Sequence, residues 1–106
     1  MGLFKTWIEA ADETEFQSTD RRQVRLPKGR AVTIFRVDGQ YFAVASFCSH
    51  ARATMIGGIL DGHTIECPMH GARFDVRTGM NLSPPAVRPI ERYDTKVEAG
   101  KVWVKV

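Results

Sequence analysis

The chain has 106 residues, 43% hydrophobic and 25% charged, a composition that fits one globular domain and excludes a disordered chain or a two-domain catalyst. The formal charge of +3 is mild, and no apolar run approaches the roughly 20 residues that cross a bilayer, so a membrane partner is not expected. Glu9 and Asp12 fall where an export signal would need its apolar segment, so a cytoplasmic location is expected.

In chain order, Phe4 to Ala10 alternates like a first strand, and "ADETEF" after it reads as a turn or one short helical turn. "QVRL" and "RAVTIFRV" are strands separated by Pro27-Lys28-Gly29, a breaker. From Arg21 to Arg36 there are six basic residues and no acid. They mostly alternate with Val24, Leu26, Val32 and Ile34, which reads as the solvent face of two strands. No recognition motif accompanies the charge, so nucleic acid is not expected as a partner. Asp38-Gly39 between "TIFRV" and "QYFAVAS" is a two-residue hairpin, because both turn positions need positive φ. Near the end, "RYDTKVE" and "KVWVKV" flank Ala99-Gly100, a second hairpin, and the alternation of Val102, Val104 and Val106 predicts one buried face. Trp7 and Trp103 read as packing residues.

Between these β-rich arms, Phe47 to Ala86 is dense in glycine and proline, with short strands expected at "HTIEC" and "ARFDV". The fold class is all-β: an antiparallel β scaffold into which a loop-rich lobe, about residues 47–86, is inserted, the whole chain 1–106 forming one domain. The lobe is too poor in apolar residues to fold well unaided, so something must staple it.

The lobe also holds both cysteines and all three histidines of the chain. Cys48-Ser49-His50 presents a thiolate and an imidazole on one side of an extended loop. Cys67-Pro68-Met69-His70, followed by Gly71, does the same through a tight turn. The candidate metal ligands are therefore Cys48, His50, Cys67 and His70. Structural zinc accepts two cysteines and two histidines, but its knuckles usually pair like with like. Mixed arms suit a longer object, a two-iron cluster, in which each arm reaches both ends. His63, after the Asp61-Gly62 turn, has no partner at motif spacing and reads as an exposed turn histidine.

Cys48-Ser49-His50, sixteen residues, then Cys67-Pro68-Met69-His70-Gly71 resembles the Rieske motif, and the likeness extends through "LDGHTIECPMHGARFDVRTG" and "LSPPA". The chain is similar to soluble Rieske-type ferredoxins of bacterial aromatic-ring dioxygenase systems. The resemblance implies a Rieske-type β-sandwich base with a cluster-binding lobe and one [2Fe-2S] cluster per chain. It implies Cys48 and Cys67 on one iron, His50 and His70 on the more solvent-near one. High-potential members of the family carry a serine and a tyrosine where this chain has Ala72 and Phe74, and a loop-stapling disulfide where it has Ala53 and Met69. Neither Ala72 nor Phe74 can donate a side-chain hydrogen bond, so the potential is expected near the low end of the Rieske range, roughly −150 mV. Arg52, two residues after a ligand, could favour a reduced cluster or contact an acidic partner.

Setting aside His50 and His70 leaves one histidine, too few for the two-histidine iron site of an oxygenase. There is no G-x-G-x-x-G, and the chain is too short for flavin and nicotinamide domains. The resemblance therefore implies a non-enzymatic shuttle between a flavin-dependent NAD(P)H reductase and a terminal Rieske oxygenase. Docking is expected around His50, His70, Met69 and Pro84-Pro85. Two rival readings are the small subunit of an assimilatory nitrite reductase and a zinc-stabilised interaction module.

Overall fold

A computed structural model describes residues 6–47, 54–68, 71–83 and 88–106. Its strands in chain order are β1 (Trp7–Asp12), β2 (Arg21–Arg25), β3 (Ala31–Val37), β4 (Gln40–Ala45), β5 (Ile59–Asp61), β6 (Thr64–Glu66), β7 (Arg73–Asp75), β8 (Asn81–Ser83), β9 (Arg92–Tyr93), β10 (Thr95–Glu98) and β11 (Lys101–Lys105). They form three antiparallel sheets, in the orders β1-β11-β10, β2-β3-β4-β9 and β5-β6-β7-β8. The all-β expectation holds: among the described residues the helical segments are three short 3-10 turns.

Both hairpins follow from their turn residues. Asp38 and Gly39 sit at φ 52° and 78°, and Ala99 and Gly100 at 53° and 74°, all in the left-handed region that primed turns demand. Pro27–Gly29 forms a 3-10 turn between β2 and β3, as the breaker predicts. The "ADETEF" segment divides: Ala11 and Asp12 complete β1, and Glu13–Phe16 make one 3-10 turn, with the Asp12 N–H donating to the Glu15 carboxylate at 2.8 Å. Of the predicted first strand, Phe4 and Lys5 lie outside the described residues. Its end moves on to Asp12 because Ala11 and Asp12 still pair with Val102 and Lys101.

The β2-β3-β4-β9 sheet is covered on both faces. Val32 and Ile34 pack with Val102 and Val104 of the β1-β11-β10 sheet in one apolar cluster. Phe35 and Val44 point the other way, into a second cluster with Met55, Ile65, Phe74 and Val76 of the lobe. Val102 and Val104 are fully buried, as their alternation predicts. The β2–β3 region is not simply a solvent-facing ribbon, however. Thr33 and Phe35, which alternate with Val32 and Ile34, are also fully buried, because the lobe lies over that face.

One further expectation is corrected. "RYDTKVE" is not one hairpin arm: β9 pairs with β4 and β10 with β11, so the chain changes sheets at Asp94. Trp7 and Trp103, read as packing residues, are half-buried. The Lys96 ammonium lies 4.7 Å from the Trp7 ring centroid and 5.7 Å from that of Trp103, an arrangement that contributes about 0.5–1 kcal/mol per contact at exposed sites.

The lobe sheet contains the two expected short strands, β6 and β7, flanked by β5 and β8. Strand β5 arises because a turn at Gly62-His63, after Asp61, closes a hairpin that pairs Leu60 with Ile65. The staple required by the lobe's low apolar content is partly hydrophobic: Met55, Ile65, Cys67, Ala72, Phe74 and Val76 are each at most 1% exposed and share a cluster with the scaffold's Phe35 and Val44.

Candidate metal centre

Of the four predicted ligands, Cys67 is described, and Cys48, His50 and His70 lie outside the described residues, as do Arg52, Ala53, Met69 and Pro84-Pro85. What the structure places is the frame from which both loops depart. Segment 48–53 is closed by an isolated bridge between Phe47 and Thr54. Immediately inside it, the Met55 N–H donates to the Ser46 carbonyl at 2.6 Å. The Ser46 N–H in turn donates to Ala31 at 2.9 Å, and its hydroxyl pairs with that of Thr33 at 2.8 Å, both side chains fully buried.

The second loop turns as tightly as its sequence requires. The Cys67 N–H donates to the Ala72 carbonyl at 2.7 Å, and Gly71 takes φ 71°, a conformation that side-chain-bearing residues rarely adopt. The loop therefore leaves β6 at Cys67 and returns to β7 within a few residues. Met55, which ends the first loop, and Cys67, which begins the second, belong to the same buried cluster, so the two loop bases converge.

The residues around Cys67 suit a thiolate ligand. Cys67 is 1% exposed, and Ala72 and Phe74 beside it in the cluster are fully buried and carry no side-chain donor. Burial in such an apolar wall favours the neutral thiol, so Cys67 would ionise there only with a metal ion to hold its charge, and the wall would keep water from that bond. Structure and chemistry at Cys67 therefore fit an iron–sulfur group.

His63 is half-buried instead of fully exposed. Its ring meets Phe42 edge-on, with centroids 5.4 Å apart and planes at 85°, and its carbonyl accepts from the Val76 N–H at 2.9 Å. Near it, Asp75 accepts from the Arg77 guanidinium at 2.9 and 3.1 Å and from the Arg77 N–H at 2.8 Å. The Arg77 hydrogen bonds hold this carboxyl below the usual carboxylate range, against the opposing effect of burial.

Three residues at the frame escape a reading of sequence alone. Thr33 and Ser46 carry no pattern that announces a buried hydroxyl pair. Arg21 is hidden in the basic run, yet its guanidinium donates to the backbone of the lobe at Ile56 and Gly58, 3.1 and 2.5 Å away.

Comparison with known proteins agrees with this frame. The Rieske [2Fe-2S] domain matches residues 6–94. The ferredoxin component of naphthalene 1,2-dioxygenase/salicylate 5-hydroxylase systems from a Ralstonia species is 35% identical over 104 residues, covering 98% of this chain and 99% of its own. Among solved structures, a chain from the complex of reduced oxygenase and oxidized ferredoxin in carbazole 1,9a-dioxygenase superposes with a TM-score of 0.86 at 34% identity, over 92% of this chain and 91% of that one. A chain assigned as an NADH-dependent nitrite reductase small subunit from Mycobacterium tuberculosis superposes at 0.84 over 97% of this chain and 96% of that one, but at 24% identity it speaks to the fold alone. With a domain match that spans most of the chain and full-length relatives above 30% identity, the chain belongs to the Rieske [2Fe-2S] domain family.

Proposed function

We propose that this chain is the ferredoxin component of an aromatic-ring dioxygenase system, carrying single electrons from a flavin-dependent NAD(P)H reductase to a terminal Rieske oxygenase in the cytoplasm. Cys48 and Cys67 would hold one iron of a [2Fe-2S] cluster, and His50 and His70 the other. The observation that carries the reading is the end-to-end correspondence with a dioxygenase ferredoxin component, 98% of one chain against 99% of the other. A carrier needs nothing beyond a cluster and surfaces for its partners, and a chain of 106 residues has room for little more.

The bound cluster supplies one-electron chemistry, and the chain determines how easily it is reduced. Two neutral imidazoles in place of two thiolates lower the negative charge of the ligand set, which favours reduction relative to an all-cysteine cluster. The apolar Ala72 and Phe74 work in the other direction, because they offer the sulfurs no hydrogen bond. The donor and acceptor contacts should be small and transient, since a shuttle must leave each partner.

Reconstitution tests the reading. Purified chain is combined with candidate reductase and terminal oxygenase components, and NADH consumption is followed with and without aromatic substrate. The expected result is consumption that depends on both the substrate and this chain. Consumption supported by nitrite with a nitrite reductase flavoprotein, and not by any aromatic substrate with an oxygenase, would replace the reading with the nitrite reductase one.

A further inference from the structure

Arg21 differs from the other basic residues of its run. Its side chain is 17% exposed, against 52% for Arg22 next to it. The guanidinium lies 5.3 Å from the centroid of the fully buried Phe35 ring. It donates through Nε to the Asp20 carboxylate at 2.7 Å, and through Nη1 to the carbonyls of Ile56 and Gly58 at 3.1 and 2.5 Å. The first acceptor is an exposed ion-pair partner, half open to solvent, and such pairs contribute little. The other two acceptors are the reason for the placement. They belong to the 3-10 turn Met55–Gly57 and the residue after it, and the last carbonyls of so short a turn have no partner within it.

This turn is the exit of the first ligand loop, following directly on the Phe47–Thr54 bridge that closes 48–53. Its far side is blocked as well: a Cβ at Gly58 would collide with the backbone carbonyl of Glu66 in β6. Residues 55–58 are therefore held between the Arg21 fork and the strand that leads to Cys67. One side chain on β2 links the scaffold sheet to the backbone at the exit of one ligand loop, which packs against the strand that leads to the other.

We propose that Arg21 is a positioning residue for the first ligand arm, fixing from outside the site the 55–58 turn on which that arm closes. The proposal rests on the ligand set given above. An arginine suits the role because Nη1 donates to both carbonyls while Nε holds Asp20 and the guanidinium lies over the Phe35 ring; a lysine ammonium, with one nitrogen, cannot make all of these contacts from one position.

The test uses the cluster-loaded protein and the variants Arg21→Met, Arg21→Lys and Asp20→Asn. Two quantities are read: the rate of visible bleaching by a ferrous chelator, and the electron paramagnetic resonance spectrum after dithionite reduction. Loss of hydrogen bonds from a charged donor to carbonyls that are left unsatisfied predicts bleaching about tenfold faster in Arg21→Met, with a broadened or shifted spectrum. Arg21→Lys is expected between that variant and the wild type, and Asp20→Asn at wild-type values. Wild-type bleaching and an unchanged spectrum in Arg21→Met overturn the proposal. If that variant does not fold, wild-type behaviour of Arg21→Lys in both readouts overturns it equally. An Asp20→Asn variant as impaired as Arg21→Met would assign the effect to the ion pair and also overturn it. Failure of the ligand set on which the proposal rests is separate, because it shows in the wild type as a protein without a cluster before any variant is compared.

Discussion

At Phe74 a single missing oxygen carries a functional consequence. The ring is fully buried in the cluster that contains Cys67 and Ala72, so whatever it offers the site it offers without water. A phenyl ring offers no hydrogen bond, and hydrogen bonds to cluster and ligand sulfurs raise the potential by favouring the more negative reduced form. Replacing Phe74 by tyrosine adds one donor in a place where solvent cannot satisfy it. Protein-film voltammetry is expected to show a higher midpoint potential for Phe74→Tyr than for the wild type. An unchanged potential would mean that position 74 faces away from the ligand sulfurs. The four candidate ligands were legible because thiols and imidazoles at fixed short offsets are rare by chance and chemically demanding. Thr33, Ser46 and Arg21 were not, since a threonine in a strand, a serine at its end and an arginine in a basic run all have ordinary explanations, and only tertiary contact distinguishes them.

Strand β3 explains how a ribbon that seems half-exposed becomes the centre of the molecule. The basic residues that mostly alternate with Val24, Leu26, Val32 and Ile34 across β2 and β3 predict one apolar face and one solvent face. Thr33 and Phe35 on the opposite face are equally buried, because the lobe, remote in sequence, folds back over them. Periodicity reports the pattern of one strand and not what covers its second face. The same limit hid the division of "RYDTKVE", whose first part pairs with β4 and whose second pairs with β11. The hairpins at Asp38-Gly39 and Ala99-Gly100 were legible because turn chemistry is local. Where β3 and the end of β4 meet, the Thr33 and Ser46 hydroxyls pair at 2.8 Å in a site closed to water. Ser46→Ala is expected to destabilise the fold by about 1–3 kcal/mol, because it leaves the Thr33 hydroxyl buried and unsatisfied. The double variant Thr33→Val with Ser46→Ala should cost less than the sum of the two single changes. Urea unfolding of the four proteins measures this, and strictly additive losses would show that the two hydroxyls do not depend on each other.

On the scale of the whole molecule, the chain stacks two sheets and a lobe around two apolar clusters, and the second cluster joins the lobe to the scaffold. The lobe was expected to need a staple, and the structure supplies part of it through Phe35, Val44 and Ile90. The rest is assigned to the cluster, which would tie the loop after Phe47 to the loop after Cys67. This division places the redox group in a rigid frame without enlarging the protein, which suits a carrier that must dock and leave. The most direct test is metal and acid-labile sulfide analysis of the purified chain, read together with its electron paramagnetic resonance spectrum after dithionite reduction. The account predicts about two iron and two sulfide per polypeptide and a paramagnetic reduced state, as a [2Fe-2S] centre requires. One zinc per polypeptide, with no sulfide and no signal on reduction, would contradict it.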